Sequence, residues 1–149
     1  MVKQITDIIL KELENPEEML MGLPLINQLY PKLTEVKYKK YLQQMIKQGY
    51  KMLVVYHKNR LVAVCGYYVS CMFYCGSYLQ FCNLVVDESF RGLSIGTKII
   101  SYLEEKAKEL DCDKIVLDSY TQNKRSHSLY YEKGFYVRGF HFMKDLKDF

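Results

Sequence analysis

The sequence predicts an α/β fold in which a mixed, twisted and mostly antiparallel sheet is flanked by helices. The chain has 149 residues, of which 49% are hydrophobic and 26% charged, and these values are typical of one globular domain. In the first half, strand-like segments at 51–57 and 61–70 are joined by a tight polar turn, which indicates a hairpin. In the second half, strand and helix patterns alternate, which indicates a parallel crossover.

The first half also contains two helix patterns. They cover residues 17–30 and 34–49, and the second has Thr34 as a candidate N-cap and Gly49 as a C-terminal stop. The apolar face expected for this second helix consists of Val36, Tyr41, Leu42, Met45 and Ile46.

The second half contains the most regular pattern of the chain. Gly76 and Ser77 predict a turn before an apolar strand at 78–86, whose last three residues suit a central strand that is buried on both faces. A helix is predicted at 95–110 because apolar residues recur there on one face, namely Ile95, Ile99, Ile100, Leu103, Ala107 and Leu110. Three shorter elements follow, which are a strand at 114–118, a helix at 126–133 ended by Gly134, and a final strand at 135–143.

Charge and composition exclude several classes of protein. The net charge of +4 is spread along the chain without a block of like charges, so a nucleic-acid-binding surface is not indicated. No apolar run reaches the roughly 18 residues of a membrane span. The N-terminus lacks the apolar core of a signal peptide, so we expect a cytoplasmic protein. The five cysteines, an odd number, indicate reduced and mostly buried thiols, and their spacing does not match a zinc site, so no metal is expected.

A small-residue turn at 91–97 is the most informative segment for function. It leads directly into the predicted helix, whose first backbone N–H groups have no partner within the helix. Such groups, together with the helix dipole, form a binding site for an anion such as phosphate. The turn lacks the Gly-Lys-Ser/Thr of a P-loop and the three glycines of the dinucleotide fingerprint. On these residues alone, phosphate binding and a plain strand-to-helix connection both stay open.

Three segments together resemble the GNAT superfamily of acetyl-CoA-dependent N-acetyltransferases. One is the strand and turn LVVDESFRGLSIGTKII, which resembles the family's Arg/Gln-x-x-Gly-x-Gly/Ala motif with Ser94 in place of the first motif glycine. The others are KIVLDSYTQN, similar to the next core strand, and NKRSHSLYYEKGF, similar to the closing pattern Asn-x-x-Ala-x-x-Phe-Tyr-x-x-x-Gly-Phe. The match is firm over 78–143 and architectural over 1–77. It implies one N-acetyltransferase domain over 1–149, with two central parallel strands that splay apart at their C-terminal ends.

The resemblance implies a site for acetyl-CoA and a catalytic acid. Main-chain groups of Leu84, Val85 and Val86 would pair with the pantetheine arm like an added strand, and an N–H at or near Val85 would polarise the thioester carbonyl. Tyr130 has the family's general-acid position and would protonate the departing thiolate, a feasible step for a phenol with a pKa of about 10. Asn123 would bond the pantetheine, although a helix N-cap is an equal alternative. The pyrophosphate would be held by backbone amides of Arg91, Gly92, Leu93, Ser94, Ile95, Gly96 and Thr97.

The general base is not identified by the sequence. Some members of the family have a Glu on the central strand, where this chain has Gln80, which is not a base. Asp118 is a weaker candidate that could instead cap a turn. His127 is expected to face solvent, His141 shows no partner pattern, and Cys82 lacks the histidine partner of a thiol nucleophile.

The implied function is transfer of an acetyl group from acetyl-CoA to a primary amine by direct attack, without a covalent enzyme intermediate. Small amines, amino acids, and peptide or protein amines all stay open as acceptors, and we expect their pocket near residues 17–50 and 71–77. No nucleic-acid or membrane partner is expected, whereas a homodimer is left open. The alternative is a catalytically weak CoA-binding regulatory or interaction module on the same fold, motivated by Gln80 and Ser94.

Overall fold

The computed structural model describes residues 5–148, which form two compact units divided in the sequence after Leu117. We call residues 5–117 the sheet unit and residues 118–148 the C-terminal unit. The single domain over 1–149 stays a prediction.

The sheet unit contains a five-stranded sheet in which neighbours in space are also neighbours in sequence. The first four strands pair in antiparallel fashion, and the fourth pairs with the fifth in parallel. The predicted mixed, mostly antiparallel sheet is therefore confirmed, and so is the predicted hairpin. The strands are β1 (Ile8–Leu13), β2 (Lys51–His57), β3 (Arg60–Met72), β4 (Gly76–Val86) and β5 (Lys114–Leu117).

Five α-helices and two short 3-10 turns occur among the described residues. The 3-10 turns are Leu20–Gly22 and Glu88–Phe90. The helices are α1 (Pro16–Met19), α2 (Leu23–Leu29), α3 (Glu35–Lys47), α4 (Ile95–Glu109) and α5 (Lys124–Glu132), of which α5 belongs to the C-terminal unit.

The single helix predicted at 17–30 is wrong, because the 3-10 turn Leu20–Gly22 separates α1 from α2. Pro24 has no backbone N–H and is tolerated only in a first helical turn, so a new helix starts there. Gly22 is buried at the break, and a Cβ at this position would lie 3.4 Å from both Met52 Sδ and Tyr38 Oη. The break between α1 and α2 therefore lies where the chain is packed against β2 and α3.

Helices cover both faces of the sheet. Met52 and Val54 of β2 belong to a cluster with buried residues of α1, α2 and α3, whereas Leu53 and Val55 are equally buried outside that cluster. Alternate residues of a strand point to opposite faces, so β2 is a central strand. Helix α4 contacts β4 and β5 and buries an apolar face that consists of Ile95, Ile99, Ile100, Leu103 and Ala107. The predicted last member of that face, Leu110, is exposed instead, because α4 ends at Glu109.

The apolar face predicted for α3 is wrong at Val36, which is 78% exposed. Tyr38 is buried in its place, and its hydroxyl donates a hydrogen bond of 2.6 Å to the Met19 carbonyl. That bond satisfies the phenol and allows the ring to be buried. Thr34 caps α3 as predicted, since its Oγ1 accepts a bond from the Lys37 amide.

Two strand predictions differ from the structure at the ends of the sheet. Strand β1 was not predicted, and it exists because it pairs with residues 52–57 of β2. The final strand predicted at 135–143 is wrong, since the described residues of that segment form no ladder, and a strand needs a partner. As a consequence, β5 lies at the edge of the sheet rather than at its centre. The turn predicted at Gly76 and Ser77 instead lies at 73–75, and Gly76 begins β4.

Candidate functional site

The turn before α4 presents a row of backbone amides without partners. Among residues 5–148, the N–H groups of residues 92–97 donate no hydrogen bond to the protein. The amides just before them are used internally, because Ser89 N donates to Asp87 Oδ1 at 2.9 Å and Phe90 N to the Asp87 carbonyl at 2.8 Å. Six consecutive donors are therefore available to a ligand at the N-terminus of a 15-residue helix.

Helices α1 and α3 of the sheet unit have side-chain caps, whereas the longer helix α4 does not. Asn15 Oδ1 accepts from the Glu17 amide at 2.9 Å to cap α1, and Thr34 caps α3. Ser94 is the N-cap residue of α4, but its side chain makes no capping bond. Its backbone is left-handed, with φ of 64°, whereas a capping side chain normally stands on an extended residue. The open end of α4 thus follows from the local backbone.

The start of this turn is fixed by Asp87. Its carboxylate accepts hydrogen bonds from the hydroxyl and amide of Ser89, and it forms a 3.2 Å ion pair with Arg60. The Ser89 bonds, and secondarily Arg60, hold the pKa of Asp87 below its ordinary value. The Arg60 guanidinium also lies over the Phe90 ring, 5.1 Å from its centroid. Arg91 Nε donates to the Val86 carbonyl at 3.1 Å. The Arg91 amide, predicted to hold the pyrophosphate, donates instead to the Glu88 carbonyl at 3.4 Å, so the row of available amides begins at residue 92.

Strand β4 loses its parallel neighbour halfway along its length. The β4–β5 ladder runs from Tyr78↔Lys114 to Phe81↔Leu117 and ends there, whereas β4 continues to Val86. Val85 and Val86 still pair with β3 on the other side. Within residues 5–148, no strand pairs with the other edge of residues 82–86, an edge that suits an added strand or an extended ligand. Because this edge is uncovered, Leu84 and Val86 are half-buried rather than buried as predicted.

A β-bulge lies at the point where the two parallel strands separate. Val64 pairs with Val85 and Gly66 with Cys82, so Asn83 and its successor both oppose a single residue of β3. Asn83 has φ of 51°, a left-handed backbone that Asn tolerates better than most residues. Its side-chain amide donates to Tyr30 Oη at 3.0 Å and fixes this kink to the end of α2. Bulges of this kind turn the following backbone groups in a new direction, here toward the open edge.

Residues 61–86, which form all of β4 and all of β3 except Arg60, contain no charged side chain. From residue 61 to residue 86 the sequence has no Asp, Glu, Lys, Arg or His. Gln80 lies opposite Tyr68 in the β3–β4 ladder. Burial raises the pKa of Tyr68 to about 12 and the pKa of Cys82 to about 11. These strands therefore supply no general base at neutral pH, and Cys82 stays a thiol.

In the C-terminal unit, the end of α5 holds Tyr130 in a defined position. The Gly134 amide donates to the Tyr131 carbonyl and the Phe135 amide to the Tyr130 carbonyl, both at 3.0 Å, and Gly134 has φ of 85°. This is a Schellman C-cap, and its usual apolar contact is made by the rings of Tyr130 and Phe135, whose centroids are 6.0 Å apart. The Tyr-x-x-x-Gly-Phe pattern thus has a structural reason, and the predicted helix stop at Gly134 is confirmed.

The other residues of the C-terminal unit considered from the sequence are Asn123, His127 and His141. Asn123 is the N-cap residue of α5, yet its side chain makes no capping bond, which removes the simple capping interpretation. His127 is half-buried, and its Nε2 lies 3.1 Å from Ser119 Oγ and 2.9 Å from the Tyr120 carbonyl in an exposed part of the unit. His141, for which no partner was expected, lies 3.2 Å from Asp118.

The structure adds two features that the sequence interpretation missed. Asn83 was not singled out, and the uncharged run at 61–86 was not noted, although the run is visible in the sequence.

All five cysteines are free, two of them buried, and the described residues hold no group of three or more possible metal ligands. None of the helices in residues 5–148 has the length and apolar character needed to cross a membrane.

The chain is similar in sequence to a known protein family and to a curated protein. A family model described as the acetyltransferase (GNAT) family matches residues 11–135. Among curated proteins, the glucosamine 6-phosphate N-acetyltransferase of Arabidopsis thaliana is 36% identical over 59 residues, which are 40% of this chain and 37% of that protein. The match thus spans little more than a third of the curated relative.

Two solved structures have a similar fold. An acetyltransferase of Trypanosoma brucei has a TM-score of 0.76 at 25% identity, over 94% of this chain and 100% of its own. An aminoglycoside N-acetyltransferase in complex with CoA has a TM-score of 0.77 at 13% identity, over 99% of this chain and 100% of its own, and shows the fold alone.

Proposed function

The chain belongs to the acetyltransferase (GNAT) family, and we propose that it transfers the acetyl group of acetyl-CoA to a primary amine by direct attack. One observation supports this most strongly. The N–H groups of residues 92–97 are without partners in the described chain, and they follow a strand whose edge is open. The two features suit the two parts of one cofactor, a diphosphate and an extended pantetheine arm.

The cofactor would be bound mainly by the backbone. The amides of residues 92–97 hold the pyrophosphate, and the main chain of Leu84, Val85 and Val86 pairs with the pantetheine. An N–H at or near Val85 polarises the thioester carbonyl. The Asn123 side chain makes no capping bond to α5, and it hydrogen-bonds the pantetheine or the chain around it.

The reaction needs no covalent intermediate. The amine nitrogen attacks the thioester carbonyl carbon, the new C–N bond forms, and the C–S bond breaks. The thiolate takes the proton of the Tyr130 hydroxyl, and the attacking nitrogen, which is positively charged after the C–N bond forms, loses its extra proton to water to give the neutral amide. Tyr130 is therefore the catalytic acid. The phenolate left on Tyr130 takes one proton from solvent before the next reaction cycle.

Ser94→Asp tests the diphosphate site. The new carboxylate should repel the diphosphate and weaken CoA binding by roughly 10- to 100-fold relative to Ser94→Asn, which has the same shape without the charge. The thermal midpoint should not fall, because Asp tolerates a left-handed backbone and is favourable at a helix N-terminus. Titration calorimetry and thermal unfolding measure the two effects separately. Equal CoA affinities for the two variants would remove the turn from the cofactor site.

The acceptor amine should be weakly basic. Since residues 61–86 supply no general base, we propose that the amine arrives neutral. At pH 7.5, roughly a third of an α-amino group with a pKa near 7.8 is neutral, but only about one lysine amine in a thousand. The name of the curated relative makes an amino sugar phosphate one member of the test panel.

The pH profile distinguishes the source of the base. With neutral amine as the reactant, kcat/KM rises with pH up to the pKa of the acceptor, so the rising limb should shift when the acceptor is changed. We expect it to shift by as much as the amine pKa values differ between an α-amine and a lysine peptide. If the midpoint of the rising limb of kcat/KM lies at the same pH for every acceptor, a group of the enzyme is the base instead.

The alternative function is a CoA-binding module without turnover, favoured by Gln80 and by the absence of a charge at 61–86. A screen of amines with a thiol-release readout decides between the two. CoA binding without turnover on any amine would support the module. We also propose that the protein acts as a homodimer, and the cytoplasmic location stays a prediction.

A further inference from the structure

Tyr50 is a buried tyrosine whose hydroxyl the rest of the sheet unit does not use. The residue precedes β2 and is 3% exposed, yet within residues 5–148 its hydroxyl has no hydrogen-bond partner. Buried phenols normally have one, as Tyr38 does in the Met19 carbonyl. Because an unpaired buried hydroxyl costs free energy and phenylalanine would fill the same space, packing alone does not explain a tyrosine here.

The oxygen of Tyr50 is not sealed inside the core. In the described part of the chain, every fully enclosed side-chain oxygen or nitrogen has a hydrogen-bond partner. Since Tyr50 Oη has none, it reaches space that water can enter. The hydroxyl lies directly against Gly66, because a Cβ at that glycine would collide with Oη. A glycine at this position of β3 therefore leaves room for the hydroxyl.

The hydroxyl lies beside the point where β4 and β5 separate. Gly66 pairs with Cys82, which directly follows the last pair of the β4–β5 ladder, Phe81↔Leu117. Two residues from Gly66 along β3, Val64 pairs with Val85, at or near which an N–H is proposed to polarise the thioester carbonyl. Two residues of a strand span about 7 Å, so the hydroxyl lies near the reacting carbonyl of the proposed function.

Tyr50 belongs to the cluster of buried residues on the face of the sheet that α1, α2 and α3 cover. The neighbouring Tyr68 is half-buried, and its ring centroid lies 5.4 Å from that of Tyr50. Burial raises the pKa of both phenols above the ordinary value, so both stay neutral. An amine that arrives from this face therefore meets phenol oxygens, and residues 61–86 present no carboxylate to it.

We propose that Tyr50 Oη accepts a hydrogen bond from the neutral acceptor amine and so orients its lone pair toward the thioester carbonyl. A neutral primary amine has two N–H donors and one lone pair, and attack requires that the lone pair be free and aligned. A phenol oxygen can accept an N–H, whereas an ammonium ion has no lone pair and binds a carboxylate more strongly. This role of Tyr50 rests on the proposed function and makes neutral primary amines the class of acceptor.

Tyr50→Phe tests this role by removal of one oxygen atom. With acetyl-CoA and a panel of an α-amine, a lysine peptide and an amino sugar phosphate, kcat/KM for the acceptor should fall by roughly 10-fold, the value of about one hydrogen bond. The affinity for CoA in calorimetry should not change, because Tyr50 is not part of the proposed cofactor site. The thermal midpoint should not fall either, since no hydrogen bond of the described chain is lost.

Tyr38→Phe is the matched control. It removes the same atom from a phenol that is similarly buried but hydrogen-bonded, and it breaks the bond to the Met19 carbonyl. We expect the opposite pair of results, which is a thermal midpoint lowered by roughly 2–4 °C and an unchanged kcat/KM.

The outcomes separate this role from the proposed function. Equal kcat/KM for the parent protein and Tyr50→Phe would overturn the role of Tyr50 and leave acetyl transfer intact. A Tyr50→Phe variant that fails to fold, or whose midpoint falls as far as that of Tyr38→Phe, would overturn it too, because the hydroxyl would then be structural. A parent protein that binds CoA but releases no thiol with any amine would remove the proposed function itself, and the role of Tyr50 with it.

Discussion

Replacing Tyr130 with phenylalanine should lower kcat by roughly 10²- to 10⁴-fold, the range that general acid catalysis contributes. The variant removes one oxygen atom, so the CoA thiolate has to leave without a proton or take it from water. The fold should not change, because the Schellman cap uses the backbone of Tyr130, and its contact with Phe135 involves the rings. Steady-state thiol release gives kcat, and calorimetry should give a nearly unchanged affinity for CoA.

Tyr131→Phe is the matched control for this experiment. It removes the same atom from the next residue of α5, whose side chain is exposed, and should leave kcat unaltered. Loss of activity in both variants would indicate damage to α5 rather than loss of an acid. An unchanged kcat in Tyr130→Phe would exclude Tyr130 from proton transfer to the thiolate.

The cofactor turn could be predicted from the sequence because its signals are local. A small-residue turn followed by a regular apolar face predicted an open helix N-terminus at Ile95, and the structure has one. Tyr130 and Gly134 belong to a local motif in the same way, since a C-cap depends on residues within one helical turn.

The features that were missed depend on pairing between distant segments. Strand β1 exists because β2 has a free edge, and the bulge at Asn83 is defined only by the register of β4 on β3. The strand expected at 135–143 has the right composition but no partner in the described chain. A sequence pattern indicates that a segment can form a strand, but it does not indicate which other strand that segment pairs with.

Gly66→Ala should destabilise the sheet unit by about 3 kcal/mol or more, at the upper end of the overpacking range. A Cβ at this position would lie 2.2 Å from Cε2 and 2.6 Å from Cζ of Tyr50. Tyr50 is 3% exposed, and Gly66 lies in the third of five strands, opposite both Met52 and Cys82, so neither side can give way freely. Urea unfolding measures the effect. Gly139→Ala adds the same methyl group to open space and should be nearly neutral.

A second substitution shows whether the ring of Tyr50 is the cause. In a Tyr50→Leu background the ring is absent, and Gly66→Ala should then cost about 1 kcal/mol or less, so the two changes are strongly coupled. Equal costs in both backgrounds would mean that the glycine is required by the backbone of β3 instead. The coupling also bears on function, because the Tyr50 ring lies 5.4 Å from the ring of Tyr68, which is paired with Gln80. A displaced Tyr50 should therefore also shift Tyr68, which lies beside the point where β4 and β5 separate.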